Sequence, residues 1–147
     1  MLTEMLKPFA EEKIAFVKRT GLQLVHAESG YVKCLMPEQG NENHIGTMYA
    51  GAMFTLAEIP GGIMCLSSFE QGRFFPLLKN MSVKFVKLAK GDITFETRLS
   101  AEEIAKVSEE AAREGKADFF LKGELLDGDG EVVAVSEGHY QIRAIGK

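Results

Sequence analysis

The 147-residue chain has a formal net charge of −4, with 26% charged and 46% hydrophobic residues. That is an ordinary balance for one soluble domain, residues 1–147, around a single core. Its acidic surface offers no field for a polyphosphate backbone, which argues against nucleic acid as a partner. Cys34 and Cys65 form no Cys-x-x-Cys pair, and no charged, apolar and small-residue leader opens the chain. A reducing cytoplasm is therefore the expected compartment, with both thiols packed as small apolar groups.

Residues 3–19, TEMLKPFAEEKIAFVKR, set Leu6, Ala10, Ile14 and Val17 at helical intervals among charges, and Gly21 suits the helix end. The spacing predicts an amphipathic N-terminal helix, bent at Pro8. The segment LQLVHAESGYVKCLMP alternates around a turn at Glu28 to Gly30 and reads as extended chain or a hairpin. After the polar loop EQGNEN, a buried helix is expected from about Ala50 to Phe69. The stretch LLKNMSVKFVKLAKGDITFETRLS reads as two antiparallel strands broken at AKGD, and 101–114 as a short surface helix. DFFLKGELL and EVVAVSEGHYQIRAI, joined by DGDG, complete a hairpin of long strands. This order predicts an α+β domain, an antiparallel sheet wrapped against one central helix.

The chemistry concentrates in NHIGTMYAGAMFTLAE, residues 43–58. From there to Glu70, Glu58 is the only formal charge if His44 is neutral. Burying an unpaired carboxylate costs several kcal/mol, so the carboxylate is either paired or used. The passage is long enough to span a bilayer, but Glu58 lies inside it, Pro60-Gly61-Gly62 follows, and no Lys or Arg cluster flanks it. A buried core helix is the better reading. On that helix Gly51 and Glu58 are seven residues apart, roughly 10 Å along the axis and on one face. First-turn amides at Ala50 and Gly51 lie at the positive end of the dipole, where they can polarise a carbonyl oxygen. A carboxylate further along that face can attack the carbonyl or activate water beside it.

Asn43-His44-Ile45-Gly46-Thr47-Met48-Tyr49-Ala50-Gly51, followed by Thr55-Leu56-Ala57-Glu58, resembles the signature of hot-dog-fold acyl-CoA thioesterases of the phenylacetate-pathway type. FVKLAKGD is similar to that family's strand pair and LLDGDGEVVAVSEGHYQIR to its closing hairpin, so the resemblance covers about residues 22–145. It implies hydrolysis of an acyl-CoA thioester without a cofactor, by a homodimer or homotetramer in which Asn43 and Ala50 meet Glu58 across or beside the subunit boundary. By position, Asn43 matches the residue that helps hold the thioester, Ala50 the glycine whose amide polarises the carbonyl, and Glu58 the nucleophile or base. Tyr49-Ala50 stand where the signature has His-Gly, and Leu88 where it has proline. Met48, Tyr49, Met53 and Phe54 are the expected walls of an apolar acyl or aryl site. Lys79 and Asn80, entering the strand after the helix, are further substrate-contact candidates.

Each assignment has a structural competitor. Glu58 would serve equally in a buried ion pair, Asn43 as a turn or cap residue, and Gly51, Gly61 and Gly62 as close-packing positions. Lys84, Lys87 and Lys90 suit either CoA phosphates or a solvated strand face. His26, His44 and His139 are too scattered for a zinc site, and DGDGE lacks calcium-loop spacing. A non-catalytic acyl or CoA binder on the same scaffold is the main alternative function. A hot-dog dehydratase or hydratase is the other, although no histidine occupies the helix.

Overall fold

The computed structural model describes residues 2–146. In chain order the elements are α1 Leu2–Glu11, α2 Ala15–Thr20, β1 Gln23–Glu28, β2 Tyr31–Met36, α3 Ala50–Ser68, β3 Phe74–Phe85, β4 Ile93–Arg98, α4 Ala101–Glu114, β5 Lys116–Leu126 and β6 Val132–Ala144. The strands form one antiparallel sheet in the order β1-β2-β4-β5-β6-β3. The sheet curls around α3, which touches every strand. This is the hot-dog fold expected from the sequence.

The N-terminal segment departs from a single bent helix. Pro8 sits inside α1 without breaking it, and the chain turns instead at residues 12–14, where the Glu12 and Lys13 amides both converge on the Pro8 carbonyl. Nor does Pro60-Gly61-Gly62 interrupt α3, which continues to Ser68. By length and composition α3 would pass for a membrane span, but its apolar circumference is covered by the sheet and by α1. Gly61 is required here. A Cβ at Gly61 would lie 2.1 Å from the ring of Tyr140 on β6, a buried side chain that stacks on Phe119 and donates from its hydroxyl to the Glu58 carbonyl at 3.0 Å.

The two edges of the sheet are treated differently. Along β1, Thr3, Lys7 and Glu11, a stripe at four-residue spacing on α1, reach the strand's free backbone. Thr3 Oγ1 bonds the amide and carbonyl of Ala27, Lys7 Nζ donates to the Leu24 carbonyl, and Glu11 accepts from the Leu24 amide at 2.8 Å. The helix stands in for a seventh strand. β3, at the opposite edge, has no such cover among the described residues and exposes Leu78 and Phe85 on its helix-side face.

Candidate active site

The loop before α3 is built by Asn43. Its Oδ1 accepts from the Ile45 and Thr47 amides at 3.0 Å, its Nδ2 donates to Thr47 Oγ1 at 2.8 Å and more weakly to the Met48 carbonyl, and its carbonyl receives the Gly46 amide. Gly46 takes a φ of 85° in this turn, which explains why glycine stands at that point. The Asn43 side chain is thus committed to its own loop, whose product is the entry angle of α3. Further bonds from the Met48 amide to Ala89 and from the Tyr49 amide to Asn41, each 2.8 Å, fasten the loop to its surroundings.

At the start of α3 the Tyr49 carbonyl accepts from Ala52 and Met53, and no side chain caps the helix. Among the described residues the Ala50 and Gly51 amides have no acceptor, which leaves two donors at the positive end of a 19-residue helix dipole. The Tyr49 ring lies over Gly51, where a Cβ would come within 2.5 Å of it.

From this point a partly exposed strip runs down α3 through Gly51, Phe54, Glu58, Gly62 and Leu66, at helical spacing. Glu58 is the only charge on it. No hydrogen bond or ion pair reaches its carboxylate among the described residues, and loss of solvent alone raises its pKa above the ordinary glutamate value. The buried ion pair that competed for Glu58 therefore finds no partner among the described residues. Beneath it, the Tyr140 phenol is itself pushed up, first by burial and then by the Glu58 charge. Burial also pushes the Cys34 and Cys65 thiols up to about 12, so neither is a ready nucleophile.

The strip faces the helix-side row of β3, which runs back along α3 so that Pro76 Cγ is 3.8 Å from where a Gly62 Cβ would stand. That row is Pro76, Leu78, Met81 and Val83, with Phe85 at its end, because these residues pair with the inward-facing Ile142, Tyr140, Gly138, Ser136 and Ala134. A bulge at Lys79 changes the parity between Leu78 and Asn80. Simple alternation would set Asn80 on the helix side. The bulge turns it outward into the row of His139 and Phe120, beside a groove of about 300 Å³, and Lys79 lies near Asp118 on the same outer face. The expectation that Lys79 and Asn80 flank the helix site is thereby corrected. Met48 and Met53, at 1% and 5% exposure, belong to the core, whereas Tyr49 and Phe54, at 58% and 38%, are open to a ligand. Leu78, Met81 and Val83 were missed because nothing in an alternating strand marks its bulge. No three His, Cys, Asp or Glu side chains among the described residues come together as a possible metal site.

With this geometry in place, comparison with known proteins gives a consistent picture. The family described as Domain of unknown function (DUF4442) matches residues 3–142, and the chain belongs to that family. Among solved structures it is 53% identical to PA5026 of Pseudomonas aeruginosa, a protein of unknown function described as a probable thioesterase. That match has a TM-score of 0.91 and covers 97% of this chain and 95% of that one. A Chlorobaculum tepidum protein of unknown function shares the fold at 17% identity and a TM-score of 0.84, over 97% of this chain and 94% of that one. The thioesterase HI1161 of Haemophilus influenzae does so at 13% and 0.77, over 99% and 92%. No curated protein matches the sequence.

Proposed function

We propose that this DUF4442 protein hydrolyses an acyl-CoA thioester with Glu58 as its working carboxylate. The observation that carries the reading is a desolvated Glu58, unpaired among the described residues, on the same strip of α3 as two amides without acceptors. The description of the 53%-identical Pseudomonas protein as a probable thioesterase supports the same chemistry. Glu58 takes a proton from the water that attacks the carbonyl carbon, or attacks it directly, in which case water then cleaves the mixed anhydride left on Glu58 and frees the acid. The electron pair displaced onto oxygen is received by the Ala50 and Gly51 amides, and collapse of the tetrahedral species expels the CoA thiolate. Asn43 contributes by holding the loop that aims those amides. Tyr49 and Phe54 give the acyl group an apolar wall.

The working unit is a homodimer joined through β3. Glu58 and Gly51 are about 10 Å apart along one helix, a poor fit for a single carbonyl, and the open β3 edge beside the strip invites a second copy. The sheet's other edge is closed by α1. A twofold axis at β3 brings the amide end of one α3 toward Glu58 of the other, so that each site is shared. A cytoplasmic setting suits the two buried thiols.

Free CoA release from a panel of acyl-CoAs, measured on the parent and on Glu58→Gln, tests the reading. The variant should fold and bind substrate while kcat falls by about two to four orders of magnitude. A parent that binds acyl-CoA without releasing CoA is the non-catalytic binder instead. A Glu58→Gln protein that keeps its turnover removes Glu58 from the chemistry.

A further inference from the structure

Four exposed large apolar side chains fall close together near the start of the chain: Met5 and Phe9 on α1, Ile14 at the turn and Phe16 on α2, exposed by 59%, 48%, 50% and 56%. Neither helix is free to turn them inward. Leu6, Ala10 and Val17 are already buried, Thr3, Lys7 and Glu11 hold β1, and Asn41 Nδ2 donates to the Thr20 carbonyl at 2.8 Å. The Glu12 and Lys13 amides turn back onto the Pro8 carbonyl, which sets Phe9 beside the start of α2. Charge at this corner is opposite to that of the molecule. In a chain of net charge −4, residues 13–27 contain Lys13, Lys18 and Arg19 and no Asp or Glu. Among the described residues none of the three cations has an ion-pair partner, and Arg19 instead lies over the Phe16 ring, 5.9 Å from its centroid. Of the neighbouring acids, Glu11 is engaged by Lys7 and the Leu24 amide, which leaves Glu12 beside three cations.

We propose that the corner formed by the end of α1 and by α2 docks on an anionic phospholipid surface. Phe9, Ile14 and Phe16 enter the boundary between headgroups and acyl chains, and Lys13, Lys18 and Arg19 meet the phosphates, the pairing of apolar and basic groups that holds a helix at a membrane surface. Charge selects this partner over two others. Across a twofold axis a second copy would bring the same three cations face to face. A nucleic acid following the surface would run into the acidic remainder of the chain, whereas a flat bilayer meets this corner alone. Each cation near an anionic leaflet favours binding by about fivefold, so the three together favour it by about a hundredfold over a neutral bilayer.

The test is sedimentation with vesicles of phosphatidylcholine, alone or mixed with phosphatidylglycerol, at low and high salt. No substrate is present, so the result stands apart from the hydrolase reading. The parent should bind the mixed vesicles about a hundredfold more tightly than the neutral ones and be released from them by salt. Lys18→Glu with Arg19→Glu should abolish that preference, and Ile14→Ser with Phe16→Ser should weaken binding to the mixed vesicles by about tenfold or more. The chain has no tryptophan, so Phe16→Trp supplies a single reporter whose emission should shift to the blue on mixed vesicles and stay unshifted on neutral ones. Should circular dichroism show that the serine pair does not fold, the tryptophan emission decides alone. A parent that ignores phosphatidylglycerol, a charge reversal that changes nothing, or a tryptophan that stays in water would overturn the proposal. Dissociation of the parent's oligomer in the folded serine pair, by light scattering, would also overturn it, because a second copy then covers this corner.

Discussion

Adjacent glycines with opposite surroundings make a sharp test of the packing around α3. In Gly61→Ala the new Cβ is directed to within 2.1 Å of both Cε1 and Cζ of Tyr140 and 2.6 Å of its hydroxyl oxygen. The ring has little room to retreat, because it is buried and stacked on Phe119 at a centroid distance of 5.3 Å. Overpacking of this kind costs about 1–3 kcal/mol, and moving the ring forfeits the Tyr140 bond to the Glu58 carbonyl, worth about 0.5–1.5 kcal/mol. Better helix propensity returns about 1 kcal/mol. The net loss is about 0.5–3.5 kcal/mol, a melting temperature roughly 2–12 °C lower for a domain of this size. Gly62→Ala meets only the 3.8 Å contact with Pro76 and keeps the propensity gain, so its melting temperature should rise by roughly 2–4 °C. Thermal unfolding followed by circular dichroism reads both. Equal shifts in the two variants, or a destabilised Gly62→Ala, would refute this account of which glycine serves the fold.

Two further outcomes follow from the same geometry. Because loss of solvent raises the Glu58 pKa in the folded state, the native protein holds a proton that the unfolded chain releases. Glu58 therefore favours folding below the ordinary glutamate range, and that contribution is lost as pH rises through its folded pKa. Urea midpoints across the acidic and neutral range should fall with pH more in the parent than in Glu58→Gln, and parallel curves would show that the site is well solvated. At the other edge of the sheet, Thr3→Ala with Glu11→Ala strips the acceptors from the Ala27 and Leu24 amides. The double variant should lose about 1–3 kcal/mol per orphaned amide and form assemblies larger than the parent's by light scattering. Unchanged size would mean that the body of α1, and not its polar stripe, closes that edge.

Much of the fold was legible because its signals are local. The Glu28–Gly30 and DGDG turns join paired strands close to where the alternation places them, whereas the two strands read as an antiparallel pair around AKGD pair with β6 and with β2 and β5 and not with each other. An apolar run interrupted by one carboxylate read better as a core helix than as a membrane span. The N-terminal break was not legible. Proline is a strong local signal, yet in α1 it is tolerated, and the chain turns where two amides share the Pro8 carbonyl. The Asn-x-x-Gly-Thr spacing was readable as a unit, but its meaning was not. Residue types cannot tell an asparagine that touches substrate from one whose side chain is consumed by Ile45, Thr47 and Met48 in its own turn.

The misplacement of Asn80 shows the general limit most clearly. Strand faces are read by counting in twos, and one extra residue reverses every assignment after it. The bulge at Lys79 does so in mid-strand, exchanging Asn80 for Met81 on the side that looks at Glu58. A polar wall becomes an apolar one. The change matters to chemistry, because Leu78, Met81 and Val83 offer no hydrogen bond on the helix side, where an asparagine would have offered one. Loss of solvent is what raises the Glu58 pKa, and an apolar row on the facing strand is in keeping with it.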